Sequence, residues 1–509
     1  MTQQSLKHDI ILSFLVGFSF CFLFCYDLAL NPFTLYSGYD QSIFEQMGLG
    51  LLQGRIPYVD LFDHKGFLLY IINATGLLLS PNHTGIYCLQ SLSLALTFFC
   101  WLRISDRIVH PSLRYVAPAV SLLFALTCEG GNMTETWSLP WISIPIYYLV
   151  RYLSGERIIN LREYFITGIC IGLVANLRLN NIVPAVAVYI YMFYDLCLRR
   201  EFQKLTCSTL TVFGGFSFAT LALVFLYVVL YGTQHLQDYW FCNVGFNLLY
   251  VDCFSHEPLW KAAGFYFPLS MLILMICSRR NWTCKLTWFT LAASLLTLLT
   301  TGTAYFAHYF TIFSPFVVLS IALSLGDKPC ISPRCWRFIG VSCMFLLAGL
   351  VGIFHTEIQQ IQVNYVAREN AIAESSQLLG SLDKEQKTSI WNYNTMMAGS
   401  NLLSRERLVQ SNRIFLPFQT SGNYGVEEKE TLEEVRPKII LLDERTRWDK
   451  LPATDALESK GSPEDSAFIS RNYRLLHRCS VPIHGKIVCI LSLQTTPHPL
   501  EKLISRPSE

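Results

Sequence analysis

Acidic and basic side chains are concentrated in one polar stretch, residues 39–66, which reads YDQSIFEQMGLGLLQGRIPYVDLFDHKG. A carboxylate can act as a general base, and a lysine or histidine can stabilise a departing anion. Charge beside lipid is costly unless it has a partner. The stretch contains both signs, as a reaction that needs a base and a cation for a phosphate would require. A solvated charge cluster is the alternative. The charged residues of the stretch are Asp40, Glu45, Arg55, Asp60, Asp63, His64 and Lys65.

Three further polar motifs lie at the ends of apolar segments. Glu135 precedes a hydrophobic run, where a carboxylate either caps a helix or serves a site. The motif LRLNNIVP places Arg178 and Asn181 between two apolar segments, and an arginine there usually faces a cavity or a phosphate. His308 and Tyr309 stand near the start of another apolar run, where packing or an aromatic belt explains them equally well.

The composition predicts that membrane helices position these residues. The chain has 509 residues, of which 52% are hydrophobic and 15% charged, and its net charge of +2 gives no indication of nucleic-acid binding. A spanning helix needs about 20 mostly apolar residues. We expect about eleven crossings, at residues 10–30, 84–104, 114–128, 138–152, 163–177, 181–198, 206–232, 261–278, 286–302, 304–325 and 337–355.

Positive charge then predicts the orientation, because Lys and Arg collect in cytoplasmic loops. One alternating set of loops carries sixteen Lys and Arg residues and the opposite set carries four. The N-terminus is therefore expected inside and the polar tail outside. The richer set is Lys7, Arg103, Arg107, Arg114, Arg151, Arg157, Arg162, Arg199, Arg200, Lys204, Arg279, Arg280, Lys285, Lys328, Arg334 and Arg337, and the poorer set is Arg55, Lys65, Arg178 and Lys261.

Two interfacial helices are expected in the first outer loop. Phe67–Ser80 is apolar but too short to cross, and counting it as a crossing would invert every later loop. Asp40–Gly54 has apolar residues at helical spacing, which predicts an amphipathic helix parallel to the membrane. Asp40 lies at its N-terminal end, where it either caps the helix or acts in chemistry.

Residues 356–509 are polar and predict a small extracytoplasmic α/β domain beside the 1–355 membrane domain. A helical start is followed by four strand-like runs and by a charged stretch, Asp443–Ser462, that we interpret as a loop. Cys479 and Cys489 flank a hairpin that turns near His484, so a disulfide between them is compatible with the sequence. The strand-like runs are Ser389–Asn392, Lys438–Leu442, Arg474–Cys479 and Lys486–Leu491.

The ordered set of motifs resembles the GT-C class of polytopic glycosyltransferases, in particular the branch of the protein O-mannosyltransferases and lipid A aminoarabinose transferases (families 39 and 83). The resemblance covers the membrane domain in order. Two positions depart from it: Gln41 replaces a frequent second acidic residue, and Phe67 replaces a frequent proline. The motifs are Asp40, Gly54-Arg55-x-Pro57-Tyr58-x-Asp60, Asp63-His64-Lys65-Gly66, Thr134-Glu135, Arg178-x-Asn180-Asn181, and His308-Tyr309 with Pro315.

The resemblance implies transfer of a sugar from a polyprenyl-phosphate donor to a glycan, lipid or protein acceptor at the outer membrane face. It implies no required cofactor, and a divalent metal is optional. It implies Asp40 as the base, and Lys65, Arg178 and His308 as contacts for the lipid phosphate. Asp60, Asp63 and Glu135 would shape the sugar site, and His64, Asn181 and Tyr309 are further candidate substrate-binding residues.

Other functions stay open. A polymerase or ligase of lipid-linked glycans would also act at the outer face, but arginine-rich outer loops are expected there and few outer arginines occur here. A transporter or flippase without catalysis predicts polar residues in the middle of the membrane and repeated halves. The spans are nearly uncharged inside and no repeat is visible, which favours surface chemistry. A degenerate member of the GT-C class, which retains the membrane scaffold without the activity, is a further alternative.

Overall fold

The computed structural model describes residues 3–24, 35, 38–126, 128, 131–155, 159–250, 285–300, 307–326, 366–415, 431–449 and 459–494. Within these ranges the chain is mostly helical, with a small sheet in its C-terminal part. The described helices of more than ten residues before residue 327 are α1 (Gln3–Phe24), α2 (Tyr39–Leu52), α3 (Phe67–Leu79), α4 (Thr84–Ser105), α5 (Val116–Leu126), α6 (Thr134–Leu153), α7 (Leu161–Ala175), α8 (Val183–Leu198), α9 (Phe202–Tyr231), α10 (Lys285–Thr300) and α11 (Ser314–Leu325).

Among the described residues, four helical segments are long and apolar enough to cross a membrane: Thr84–Ser105, Leu179–Leu198, Phe202–Tyr231 and His308–Leu325. Such lengths and compositions indicate a membrane protein. Other predicted crossings coincide with shorter or less apolar helices, such as α5 with 11 residues. The expected crossings 261–278 and 337–355 lie outside the described residues. The count of eleven and the orientation therefore stay predictions.

The helices pack closely where glycine removes a side chain from the contact. A Cβ at Gly168 of α7 would lie 2.0 Å from the Val212 carbonyl oxygen of α9, and one at Gly215 of α9 would lie 2.1 Å from that of Phe165. Backbones can approach this closely only between small residues. The α7–α9 pair is thus fixed by two glycines that face each other's helix.

The first loop contains both expected helices, but α2 differs from its prediction. An amphipathic helix on the membrane surface would keep one face in water, whereas every residue of α2 from 41 to 50 is buried. The prediction is wrong because α3 packs on α2 from one side and a C-terminal helix, Met397–Arg405, packs on it from another. Polar residues of α2 thus meet protein instead of solvent. The second expected helix, Phe67–Ser80, corresponds to α3.

The C-terminal part is a mixed α/β unit, as expected. Residues 366–381 form helix α12, followed by α13 (Met397–Arg405) and α14 (Pro463–Asn472). The four predicted strands are confirmed to within two residues, and they form a sheet of order β1-β2-β6-β5. The first two strands are parallel and the other neighbours are antiparallel. The strands are β1 (Ile390–Tyr393), β2 (Ile439–Asp443), β3 (Arg447–Trp448), β4 (Lys460–Gly461), β5 (Tyr473–Arg478) and β6 (Val488–Leu493).

Both faces of this sheet are covered. Ile439 and Leu441 belong to one apolar core, whereas Ile440 and Leu442 belong to another. Successive strand residues point to opposite faces, so a continuous apolar run is what a strand buried on both sides requires. The stretch expected to be a loop, 443–462, instead contains the short parallel pair β3 and β4.

The two cysteines of the last hairpin do not face each other. His484 and Gly485 form the turn, with φ of 49° and 73°, as the sequence predicted. Cys479 packs in the first core and Cys489 in the second, and both thiols are free. Because Arg478 is the residue opposite Cys489, Cys479 is offset by one position and points to the other face. The suggested disulfide is therefore wrong for this structure.

Candidate functional site

The loop between α2 and α3 contains a tight turn at Tyr58, whose φ is 72°. The Asp60 carboxylate accepts a hydrogen bond from the Ile56 amide at 2.8 Å and stabilises this turn. The Tyr58 hydroxyl in turn donates to the carbonyl oxygen of Lys65 at 3.0 Å. Asp60 thus has a local structural contact, and the structure does not bring it to the charged residues that follow.

Asp63, His64 and Lys65 form a compact buried group. The Asp63 carboxylate accepts hydrogen bonds from the His64 amide at 2.8 Å and from the Tyr70 hydroxyl at 2.9 Å. His64 Nδ1 lies 3.4 Å from the same carboxylate, and its Nε2 lies 2.8 Å from Lys65 Nζ. The imidazole is therefore placed between a carboxylate and an ammonium group.

Burial changes the protonation of this group. It lowers the pKa of His64 well below the ordinary 6.5, and the positive charges of Lys65 and Arg178 act in the same direction. Burial also raises the pKa of Asp63, although Lys65 and two hydrogen bonds oppose this. A neutral His64 accepts from the ammonium at Nε2 and carries its proton on Nδ1. The direct partner of the Lys65 cation is thus an uncharged ring.

Arg178 lies in the connection between α7 and a short 3₁₀ helix, Leu179–Ile182. Its guanidinium is 2.6 Å from the Glu135 carboxylate at the start of α6 and lies over the Tyr309 ring, 4.0 Å from its centroid. Met133 is the N-cap of α6 and makes no side-chain cap bond. The contact of Glu135 with Arg178 therefore favours an ion-pair role over the capping alternative.

Gly66 joins the two segments. Its amide donates to the Leu177 carbonyl oxygen at 3.0 Å, and the amide of Leu68 donates to that of Asn176 at 3.2 Å. A Cβ on Gly66 would lie 1.9 Å from the Asn176 oxygen. The close contact of the two backbones brings Lys65 and Arg178 to one region, as their common electrostatic effect on His64 indicates.

Asp40 is in the first turn of α2 but does not cap it. Gly38 is the N-cap, and no side chain bonds the free amides. Asp40 interacts electrostatically with Asp63, His308 and Tyr309. In the described part of the chain its carboxylate has neither a hydrogen bond nor an ion pair. The structure therefore shows no capping bond from Asp40.

His308 and Tyr309 lie in a 3₁₀ helix, Ala307–Phe313, before α11. Their rings pack edge to face with centroids 4.6 Å apart, and His308 interacts electrostatically with Glu135, Asp40, Arg178 and Lys65. The structure thus gathers eight expected residues, which we call the charged cluster: Asp40, Asp63, His64, Lys65, Glu135, Arg178, His308 and Tyr309.

Asn181 and Gln41 have structural contacts at the edge of the charged cluster. The Asn181 amide donates to Ser138 Oγ at 3.3 Å and links the 3₁₀ helix to α6. Gln41, which replaces the acidic residue of the resemblance, donates to the Gly131 carbonyl oxygen at 2.9 Å. Both are buried. In the described ranges, no three His, Cys, Asp or Glu side chains are arranged to hold a metal ion, and the role of a metal stays a prediction.

Sequence reasoning missed the contacts that hold α2 in place. Glu45 is fully buried and accepts from Arg405 of α13 and from His83, whose Nε2 is 3.1 Å away. Gln46 donates to Ser404 and to the Leu408 carbonyl, both at 2.9 Å. A polar glutamine and glutamate on a helix otherwise rich in apolar residues were the only local signal.

The C-terminal part also contacts the loop itself. Arg413 donates from its guanidinium to the Tyr58 carbonyl at 2.9 Å, and the Phe62 amide donates to the Arg413 carbonyl at 2.9 Å. Arg407 donates to the Leu77 carbonyl at the end of α3 at 3.2 Å. Arg413 therefore holds the loop that carries Asp63, His64 and Lys65, and Arg407 holds the end of the helix that follows it.

A scan against protein-family models and a search of curated proteins each returned no match for this chain.

Proposed function

We propose that this chain is a membrane glycosyltransferase that moves a sugar from a polyprenyl-phosphate donor to an acceptor at the outer face of the membrane. The acceptor is a glycan, a lipid or a protein. Membrane character supports the location, the charged cluster supports the chemistry, and the order of motifs supports the class of enzyme.

The observation that carries the proposal is the environment of Lys65. Lys65 is only 7% exposed, and in the described residues its ammonium is hydrogen-bonded to one side chain, the imidazole of His64, while the Asp63 carboxylate interacts with it electrostatically. A buried ammonium needs several acceptors. The phosphate of a lipid-linked sugar supplies further acceptors and negative charge. In this proposal Arg178, which contacts Glu135 and Tyr309, shares that charge.

Asp40 is the base in this proposal. An acceptor hydroxyl attacks the anomeric carbon and gives its proton to the Asp40 carboxylate, while the bond from that carbon to the phosphate oxygen breaks. The electron pair of that bond leaves with the polyprenyl phosphate, whose charge Lys65 and Arg178 stabilise. Attack from the face opposite the leaving group inverts the anomeric configuration. Asp63 and Glu135 are less suited as the base, since each already accepts hydrogen bonds.

The test uses membranes that contain the full chain and a panel of polyprenyl-phosphate-linked hexoses and pentoses labelled in the sugar. We expect label to leave the donor fraction only when the protein is present. Asp40→Asn should reduce the rate by about 10² or more, since a general base contributes about that much. The matched control is Asp238→Asn, because Asp238 also lies in the first turn of a helix.

Normal transfer by Asp40→Asn would remove Asp40 as the base. Passage of the intact donor across the membrane, without loss of its sugar, would instead favour the flippase alternative.

A further inference from the structure

A cleft of about 460 Å³ lies between the ends of α6, α7, α8 and α9. On α6 this end is opposite to the end that carries Glu135 of the charged cluster. Its lining includes Tyr152 of α6, Leu161 of α7, Leu196 of α8 and Lys204 of α9. Glu135 and Tyr152 are separated by nearly the whole length of α6, about 25 Å at 1.5 Å per residue. The cleft is therefore remote from the charged cluster and is not used by the proposed transfer.

The cleft has more cations than carboxylates to neutralise them. Arg199 lies 2.8 Å and Lys285 lies 3.3 Å from the same carboxylate, that of Asp195, and their side chains are 51% and 61% exposed. Arg199 uses its Nε for this contact. Its two terminal nitrogens have no hydrogen-bond partner in the described residues. One carboxylate shared by two cations leaves a net positive charge that an external anion can neutralise.

Lys204 is, beside Arg199, the second cation that lines the cleft, whereas Lys285 lies outside the lining. Its ammonium is 2.8 Å from Glu201, and its side chain is 60% exposed. Exposed ion pairs of this kind contribute little to stability, so exchange of Glu201 for a stronger anion costs little. Both Arg199 and Lys204 line the cleft and are placed to contact one anionic group.

Next to the cleft, α9 exposes an apolar surface suited to acyl chains. Only 22% of its most hydropathic 18-residue window is buried, and the outward side chains include Phe202, Leu210 and Phe213. Cys207, about one turn from Leu210, lines the cleft and is exposed. The cationic cleft and the apolar face of α9 are therefore continuous.

We propose that this cleft binds the headgroup of an anionic phospholipid, with the acyl chains along α9. The charge distribution of the loops predicts that this end of the bundle lies at the cytoplasmic leaflet, where anionic lipids attract Lys and Arg. A soluble phosphate compound would use the cations but not the apolar face. The proposal does not depend on sugar transfer.

The test measures lipid binding to the purified full chain in detergent. Phosphatidylglycerol and phosphatidylcholine are added separately, and bound lipid is counted by native mass spectrometry beside thermal unfolding. We expect preferential binding of phosphatidylglycerol and a rise in Tm with that lipid. Each exposed cation contributes about 1 kcal/mol, so Arg199→Gln with Lys204→Gln should weaken phosphatidylglycerol binding about thirtyfold.

The matched control is Lys7→Gln, which removes an exposed lysine at the same predicted membrane face. It should bind phosphatidylglycerol as the unmodified protein does. Equal binding of both lipids, or unchanged binding in the Arg199→Gln/Lys204→Gln variant, would overturn the proposal. Glycerol phosphate, the headgroup without acyl chains, should give no comparable rise in Tm; an equal rise would identify a site for a soluble anion instead. Circular dichroism establishes that each variant is folded.

Discussion

The amide of Gly66 donates to the carbonyl oxygen of Leu177 at 3.0 Å, and this contact joins the loop after α2 to the end of α7. Lys65 and Arg178 are the next residues on either side of it. Two cations that lie far apart in the sequence therefore share one site because two backbones touch. Only a residue without a Cβ permits the contact.

Gly66→Ala should separate the two segments. The added Cβ would lie 1.9 Å from a backbone oxygen, so the loop must move, and overpacking of this kind costs about 1–3 kcal/mol. We expect a lower Tm and a large loss of sugar transfer. Gly214→Ala is the control, since a Cβ there meets nothing within 4 Å. Full activity of Gly66→Ala would show that the contact does not position Lys65.

Lys65→Gln should weaken use of the donor more than it weakens the fold. A hydrogen bond to a charged group contributes about 1.5–3 kcal/mol, which corresponds to a rise of roughly 10–100-fold in the KM for the lipid-linked sugar. Lys65→Arg, which keeps the charge, should restore part of the affinity. Lys384→Gln, an exposed lysine of the C-terminal part, serves as the control. An unchanged donor KM in Lys65→Gln would contradict the phosphate assignment.

Stability should fall as the pH drops below about 6.5, the ordinary pKa of histidine. Burial, and then the charge of Arg405, lowers the pKa of His83 in the folded state. Below about pH 6.5 the imidazole of His83 takes up a proton in the unfolded chain but not in the folded chain. The free energy of unfolding therefore decreases as the pH falls through this value, and the contribution of His83 is fully present above it.

His83→Gln should make this pH profile flatter, because glutamine can still donate to Glu45 but does not titrate. Thermal unfolding between pH 7.5 and about 5 measures the slope. His64 contributes in the same direction, so part of the slope remains. His235→Gln should leave the profile unchanged. An identical slope in His83→Gln and the unmodified protein would exclude His83 as a source.

The orientation of the membrane domain can be tested by cysteine labelling. Val59→Cys, beside Asp60 in the first loop, should react with an impermeant maleimide on intact cells. Lys7→Cys should react only after the cells are broken, because positive loops face the cytoplasm. The labelled peptide is identified by mass spectrometry, since native cysteines are numerous. Protection of position 59 in intact cells would reverse the proposed side of the chemistry.

Local patterns predicted the C-terminal strands well. Runs such as Ile439–Leu442 are apolar throughout and bounded by charge, which is the pattern of a strand covered on both faces. The same local reasoning failed for α2. Its spacing indicated a surface helix, but its polar residues bind a segment that follows hundreds of residues later. Amphipathic spacing identifies a helix and one apolar face, and it gives no information on what covers the other face.

The charged cluster was predictable in its members and not in its contacts. Loop ends beside apolar runs indicated Asp40, Lys65 and Arg178, since charge at such depths needs a partner. The pairing of Arg178 with Glu135 and the structural use of Asp60 depend on how the helices pack. Contacts between residues that are far apart in the chain produce no periodic pattern in the sequence.

The burial of Glu45 against Arg405 has a consequence for how the protein matures. The two residues are 360 positions apart, so during synthesis the glutamate emerges long before its arginine. Until then the Glu45 carboxylate lacks this cation, so the final contact of α2 with α13 cannot form. The helix that carries Asp40 therefore reaches its final packing only after residue 405 has been synthesised.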